Sequence, residues 1–129
     1  MIFVLDESGS VGSDDFNLMT SFISQLVGGF DIDSGNTRVG VVTYSDGVDE
    51  SFNLNDHSTV ASVQSAISSL SYSGGSTETA VALEYVRETM LQPAAGDRNN
   101  VPNVVVVFTD GKSSDPSDTQ VSVQRGTKK

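Results

Sequence analysis

The chain has 129 residues, with 7 Lys and Arg against 17 Asp and Glu and a formal net charge of −10 at pH 7; it is sized for one domain, and as a whole it repels nucleic acid and anionic membrane surfaces while favouring basic or cationic partners. Apolar residues make up 36% and 12 glycines add to them, an ordinary share for a folded domain, while the absence of cysteine excludes disulfides, zinc–thiolate sites and cysteine nucleophiles. The longest apolar run, Val104 to Phe108, falls far short of the roughly 20 residues that cross a bilayer, and no basic region followed by an apolar core opens the chain, so neither a membrane span nor a signal peptide is expected.

Ile2 to Leu5 is an apolar run ending at Asp6, the pattern of a strand buried on both faces. Phe16, Met19, Phe22, Ile23, Leu26 and Val27 recur at helical spacing. They predict a helix over 14–27, with Ser13 as N-cap, Asp14 and Asp15 favouring the dipole of its first turn, and Gly28-Gly29 as its stop. Val39, Val41, Val42 and Tyr44 predict a further strand, and Val48, Glu50, Phe52 and Leu54 alternate as a half-exposed one. The short Ser45-Asp46-Gly47 link makes these two a hairpin. Val60, Val63, Ile67 and Leu70 form one face of a second helix capped around Asp56 to Ser58, and Ala80, Leu83, Val86 and Met90 one face of a third ended by Pro93. Val104 to Phe108, β-branched and apolar, is a last buried strand leading to Thr109 and Asp110. Asp31, Asp33, Asp46 and Asp49 read as solvated loop charges, and His57 has no Ser or Cys partner pattern that would make it catalytic.

Helices that connect buried parallel strands argue for an open, mostly parallel α/β sheet covered on both faces, with one antiparallel edge strand. Ligands of such sheets bind outside the carboxyl ends of the strands. If the first strand lies beside residues 104–108, Asp6 and Asp110 emerge together there, and two adjacent carboxylates repel unless a cation or proton lies between them. Asp6-Glu7-Ser8-Gly9-Ser10 places a carboxylate and two hydroxyls at alternate positions of a tight turn. Gly74-Gly75-Ser76-Thr77-Glu78-Thr79 is a second polar loop whose glycines permit the approach of Thr77, with Thr79 read as a helix cap, and Thr109-Asp110-Gly111 is the third contribution. Asp6, Ser8, Ser10, Thr77 and Asp110 are therefore the candidate metal ligands. All are hard oxygens, which favours Mg²⁺, Mn²⁺ or Ca²⁺ over zinc or copper.

At these residues the sequence resembles the von Willebrand factor type A domain, whose metal-ion-dependent adhesion site runs Asp-x-Ser-x-Ser, then Thr in a Gly-rich loop, then Asp in a Thr-Asp-Gly turn. The likeness extends to DESGSVG at 6–12, TRVGVVTYS at 37–45, FNLND at 52–56 and GGSTETAVAL at 74–83. The resemblance implies a Rossmann-like sheet and cation-dependent binding of proteins, with matrilins and non-fibrillar collagens closest in flavour. Ser8, Ser10 and Thr77 would then hold the ion directly, Asp6 and Asp110 directly or through water, and a carboxylate of a matrix or cell-surface partner would complete the shell. An extracellular, non-enzymatic role follows from the same resemblance.

Two departures carry expectations of their own. Glu7 stands where the family commonly has a smaller residue and reads as an exposed turn carboxylate. Only 18 residues follow Gly111, so the family's C-terminal strands are expected to be missing, leaving a partial domain. Residues 104–108 would then keep an unpaired edge open to self-association, and the polar segment 112–129 is expected to be disordered apart from a short edge pairing by Val121 and Val123. Two other functions compete with adhesion. A Mg²⁺-dependent phosphohydrolase would use Asp6 as nucleophile and Asp110 as ion holder, but Ser8 stands where a second acid is needed. A structural module without competent binding is the other.

Overall fold

The computed structural model describes residues 1–7, 9, 11–75, 79–98, 103–109 and 120–126. The two apolar runs lie side by side at the centre of one sheet. Ile2–Asp6 (β1) pairs in parallel with Gly40–Tyr44 (β2) on one side and with Asn103–Thr109 (β4) on the other. Val48–Phe52 (β3) returns antiparallel to β2, and Gln120–Gly126 (β5) runs antiparallel to β4, giving the order β3-β2-β1-β4-β5. Every residue of β1 and β2 is buried, whereas β3 alternates, because only the central strands are covered on both faces.

The covers are helical. Gly12–Val27 (α1) and Val60–Ser68 (α2) close one face, where Phe3, Leu5 and Val41 of the sheet meet Phe16, Ile23, Val63 and Ile67. Thr79–Tyr85 (α3), prolonged by a π-helical turn at Val86–Met90, closes the other, against Ile2, Val4, Val42 and Tyr44. Full burial of side chains such as Ile23 contributes about 1.5–3 kcal/mol each, and these two layers are the main stabilising element. Gly40 is required by packing: a Cβ there would lie 3.0 Å from Met90 Cε and 3.1 Å from the Phe52 carbonyl oxygen.

Several local expectations are corrected. The helix predicted over 14–27 begins at Gly12, with Val11 at the cap position and no side-chain cap bond; burial of Val11 fixes the entry, and Ser13 is an exposed residue of the first turn. Phe22 is 53% exposed although its ring rests 5.9 Å from that of Phe108. The cap of α2 is Thr59, whose hydroxyl accepts from the Ser62 N–H at 3.1 Å. The stripe that α3 buries is Ala82, Val86 and Met90 with Leu83 partly covered, while Ala80 is exposed.

The edge expected to lie bare at β4 is paired along its length by β5 from Asn103↔Gly126 to Thr109↔Gln120. Residues 120–126 are thus a strand, a second antiparallel edge rather than part of a disordered segment. The unpaired ladder of a buried strand is a strong template for main-chain hydrogen bonds, and β5 satisfies it with few apolar residues of its own. No helix among the described residues is long and apolar enough to cross a membrane.

Candidate metal centre

The register brings the carboxyl ends of β1 and β4 together, with Leu5 paired to Phe108 and Asp6 following directly. Asp6 is fully buried and is paired on its other side with Tyr44. The Glu7 N–H donates to the Tyr44 carbonyl at 2.9 Å, so the β1–β2 ladder continues one residue past the strand before the chain turns. The Gly-rich loop meets this turn: the Gly9 N–H donates to the Gly75 carbonyl at 2.8 Å. Gly75 has φ +114°, and a Cβ on it would fall 3.1 Å from Ser45 Oγ and 3.3 Å from Asp46 Oδ1. Glycine is needed there both for the backbone angle and for the approach.

Of the candidate ligands, Asp6 is described, buried at the carboxyl end of β1. Ser8, Ser10, Thr77 and Asp110 lie outside the described residues, and the flanks that are described, Gly9, Gly75 and Thr109, belong to the three segments the motif names. Thr79 opens α3. Among the described residues no three His, Cys, Asp or Glu side chains group around a metal-sized space. The motif's own residues, two carboxylates and three hydroxyls, are hard-oxygen donors of the kind that suit a divalent cation.

Glu7 is the residue that sequence reasoning misplaced. It is fully buried rather than exposed, and Ser73 Oγ donates to its Oε1. Its Oε2 is buried without a hydrogen-bond partner. Burial foremost, with Asp49 beside it, pushes the Glu7 carboxyl up to about 7 against the lowering effect of hydrogen bonds from Ser73 and Thr43. The missed signal is strand alternation: Phe3 and Leu5 face the α1–α2 layer, and with the ladder continuing, Glu7 falls on the same face.

The loop acids also have structural work. Asp33 Oδ1 accepts from the Val60 N–H at 2.8 Å, a second cap on α2. Asp31 accepts from Asn36 at 2.6 Å, and hydrogen bonds from Ser34 and then Asn36 hold its carboxyl below the usual range. Ser45 Oγ donates to Asp49 at 2.8 Å. His57 packs edge-on against Phe52, with Nδ1 2.6 Å from Ser62 Oγ, a packing role. Asp14 and Asp15 lie exposed in the first turn of α1, as expected of acids that favour its dipole.

A family model, the von Willebrand factor type A domain, matches residues 1–128. The chain belongs to this family. This type A domain is similar to the collagen alpha-4(VI) chain of Mus musculus, with 38% identity over 117 residues, covering 89% of the domain and 5% of that chain. It is 35% identical to human matrilin-1 over 115 residues, covering 89% of the domain and 23% of matrilin-1. Among solved structures it resembles proximal thread matrix protein 1 from the mussel byssus, with TM-score 0.78, 32% identity and coverage of 88% and 30%. A second structure of that mussel protein, with TM-score 0.77, is described as having a zinc-occupied metal-ion-dependent adhesion motif. The type A domain thus spans a quarter or less of the curated collagen and matrilin relatives named here, which are extracellular matrix proteins.

Proposed function

We propose that this type A domain is a divalent-cation-dependent protein-binding module of an extracellular matrix or cell-surface protein, acting in adhesion and not as an enzyme. The observation that carries the reading is the junction of Gly9 with Gly75 beside buried Asp6, which joins two of the three segments of the adhesion motif at the carboxyl edge of the sheet. Ser8, Ser10 and Thr77 would hold Mg²⁺, or Mn²⁺ or Ca²⁺, directly, with Asp6 and Asp110 acting directly or through water. When bound, the ion supplies Lewis acidity toward an acidic side chain of the partner protein. Asp6 is held buried at the end of β1, and the Gly9–Gly75 bond keeps the two hydroxyl-bearing loops from separating.

Calorimetric titration of Mg²⁺ and Mn²⁺ into metal-free protein, alongside Asp110→Ala, tests this. Saturable binding lost in the variant is expected. A folded wild-type chain that binds neither ion would overturn the reading, as would partner binding that persists in EDTA.

A further inference from the structure

We propose that Glu7, which is not a candidate ligand, is a positioning residue of this centre: its buried carboxyl group clamps the Gly-rich loop onto the β1 turn, and so sets the affinity for the ion. The proposal rests on the metal reading above and extends it to a residue that the motif leaves open.

Burying a carboxylate is unfavourable unless its oxygens are satisfied, yet Glu7 has no exposed surface at a position where an apolar side chain would pack at no such cost. What Glu7 has that an apolar residue lacks is an acceptor for Ser73. The turn and the loop are consequently tied twice, once by Ser73 Oγ–H to Glu7 Oε1 and once by Gly9 N–H to Gly75 C=O at 2.8 Å. The two ties are spaced two residues apart in both segments, so together they fix the relative orientation as well as the separation. Glu7 is itself immobilised, because its own N–H is committed to Tyr44 at 2.9 Å. Beside Ser45 and Asp46 the loop runs so close that a Cβ on Gly75 would lie 3.1 Å from Ser45 Oγ. Thr77 follows two residues after Gly75, and Ser8 follows Glu7 directly. Partners that orient ligands in this way typically change metal affinity 10–100-fold when removed.

Wild type, Glu7→Ala, Glu7→Gln and Ser73→Ala are compared by NMR-detected amide exchange at Gly9 in metal-free protein and by Mn²⁺ titration. Ser73 is exposed, so its variant retains the fold even if Glu7→Ala does not. Ser73→Ala and Glu7→Ala are each expected to speed Gly9 exchange about tenfold while the β1 amides stay protected, and to weaken Mn²⁺ roughly 10–100-fold. Glu7→Gln, whose amide oxygen still accepts from Ser73, is expected to restore both. Unchanged Gly9 exchange in Ser73→Ala overturns the clamp whatever the ion does, and so does failure of Glu7→Gln to rescue. Gly9 released in both alanine variants while the wild type binds no Mn²⁺ overturns the metal reading and with it the role in affinity, leaving the clamp itself supported.

Discussion

Glu7→Gln is expected to remove a defined part of the pH dependence of folding. In metal-free protein, burial of Glu7, reinforced by Asp49, moves its ionisation from 4.5 to about 7. The folded state therefore keeps a proton that the unfolded chain has already released. The stabilisation from this group is complete below pH 4.5, is lost progressively as pH rises to about 7, and changes no further above that. That interval corresponds to about 3 kcal/mol, and because Asp49 is exposed solvent screening lowers the expected loss to about 2 kcal/mol. Gln mimics the protonated acid, with an oxygen for Ser73 and an N–H for Asp49 in place of the unpartnered Oε2. Urea unfolding of both proteins in EDTA, from about pH 4 to pH 8.5, reads the difference directly. The wild type should lose about 2 kcal/mol relative to the variant across the window and run parallel to it on either side. Curves that stay parallel throughout would show that folded Glu7 holds no extra proton, and the electrostatic account of the site would fail.

Gly96 has φ +98°, and a Cβ there would lie 2.6 Å from the Asn55 nitrogen; Gly96→Ala is expected to cost about 2–4 kcal/mol in denaturant unfolding, and a neutral result would refute the close packing of that turn. Thr59→Ala removes the hydroxyl that accepts from Ser62 and should cost about 1 kcal/mol, readable as a shift in urea midpoint without a change in slope. Ile23→Ala, at a position with no exposed surface, should cost about 2–5 kcal/mol. Mg²⁺ at about a hundred times its dissociation constant should stabilise the wild type by about 2.7 kcal/mol, raising Tm by roughly 10 °C, and should leave Asp110→Ala unmoved.

The sheet and its covers were legible because Ile2 to Leu5 and Val104 to Phe108 are apolar without interruption and α1 and α2 repeat at helical spacing, patterns that burial on one or two faces imposes. The remainder depended on partners distant in sequence. Val60 is capped by Asp33, and no local pattern announces a cap supplied from another loop. β5 is drawn by the open ladder of β4, a main-chain demand that leaves little trace in the composition of a polar segment. At the candidate site the proposed ligands are legible as a motif, and Asp6 ends β1 at the carboxyl edge of the sheet. Glu7 was misread because the turn chemistry of its neighbours hid that it continues the alternation of Phe3 and Leu5.

The central position of β1 also governs how the chain reaches its native state. Its first residue, Ile2, pairs with Gly40 on one side and with Val105, roughly a hundred residues downstream, on the other. At about 5–20 residues added per second, β1 leaves the ribosome on the order of 5–20 s before β4 exists. During that interval one side of the strand can join only the β2–β3 hairpin, and its other ladder stays open to any extended segment nearby. Synthesis rate and holdase supply should therefore limit the yield of soluble protein more strongly than the final stability does.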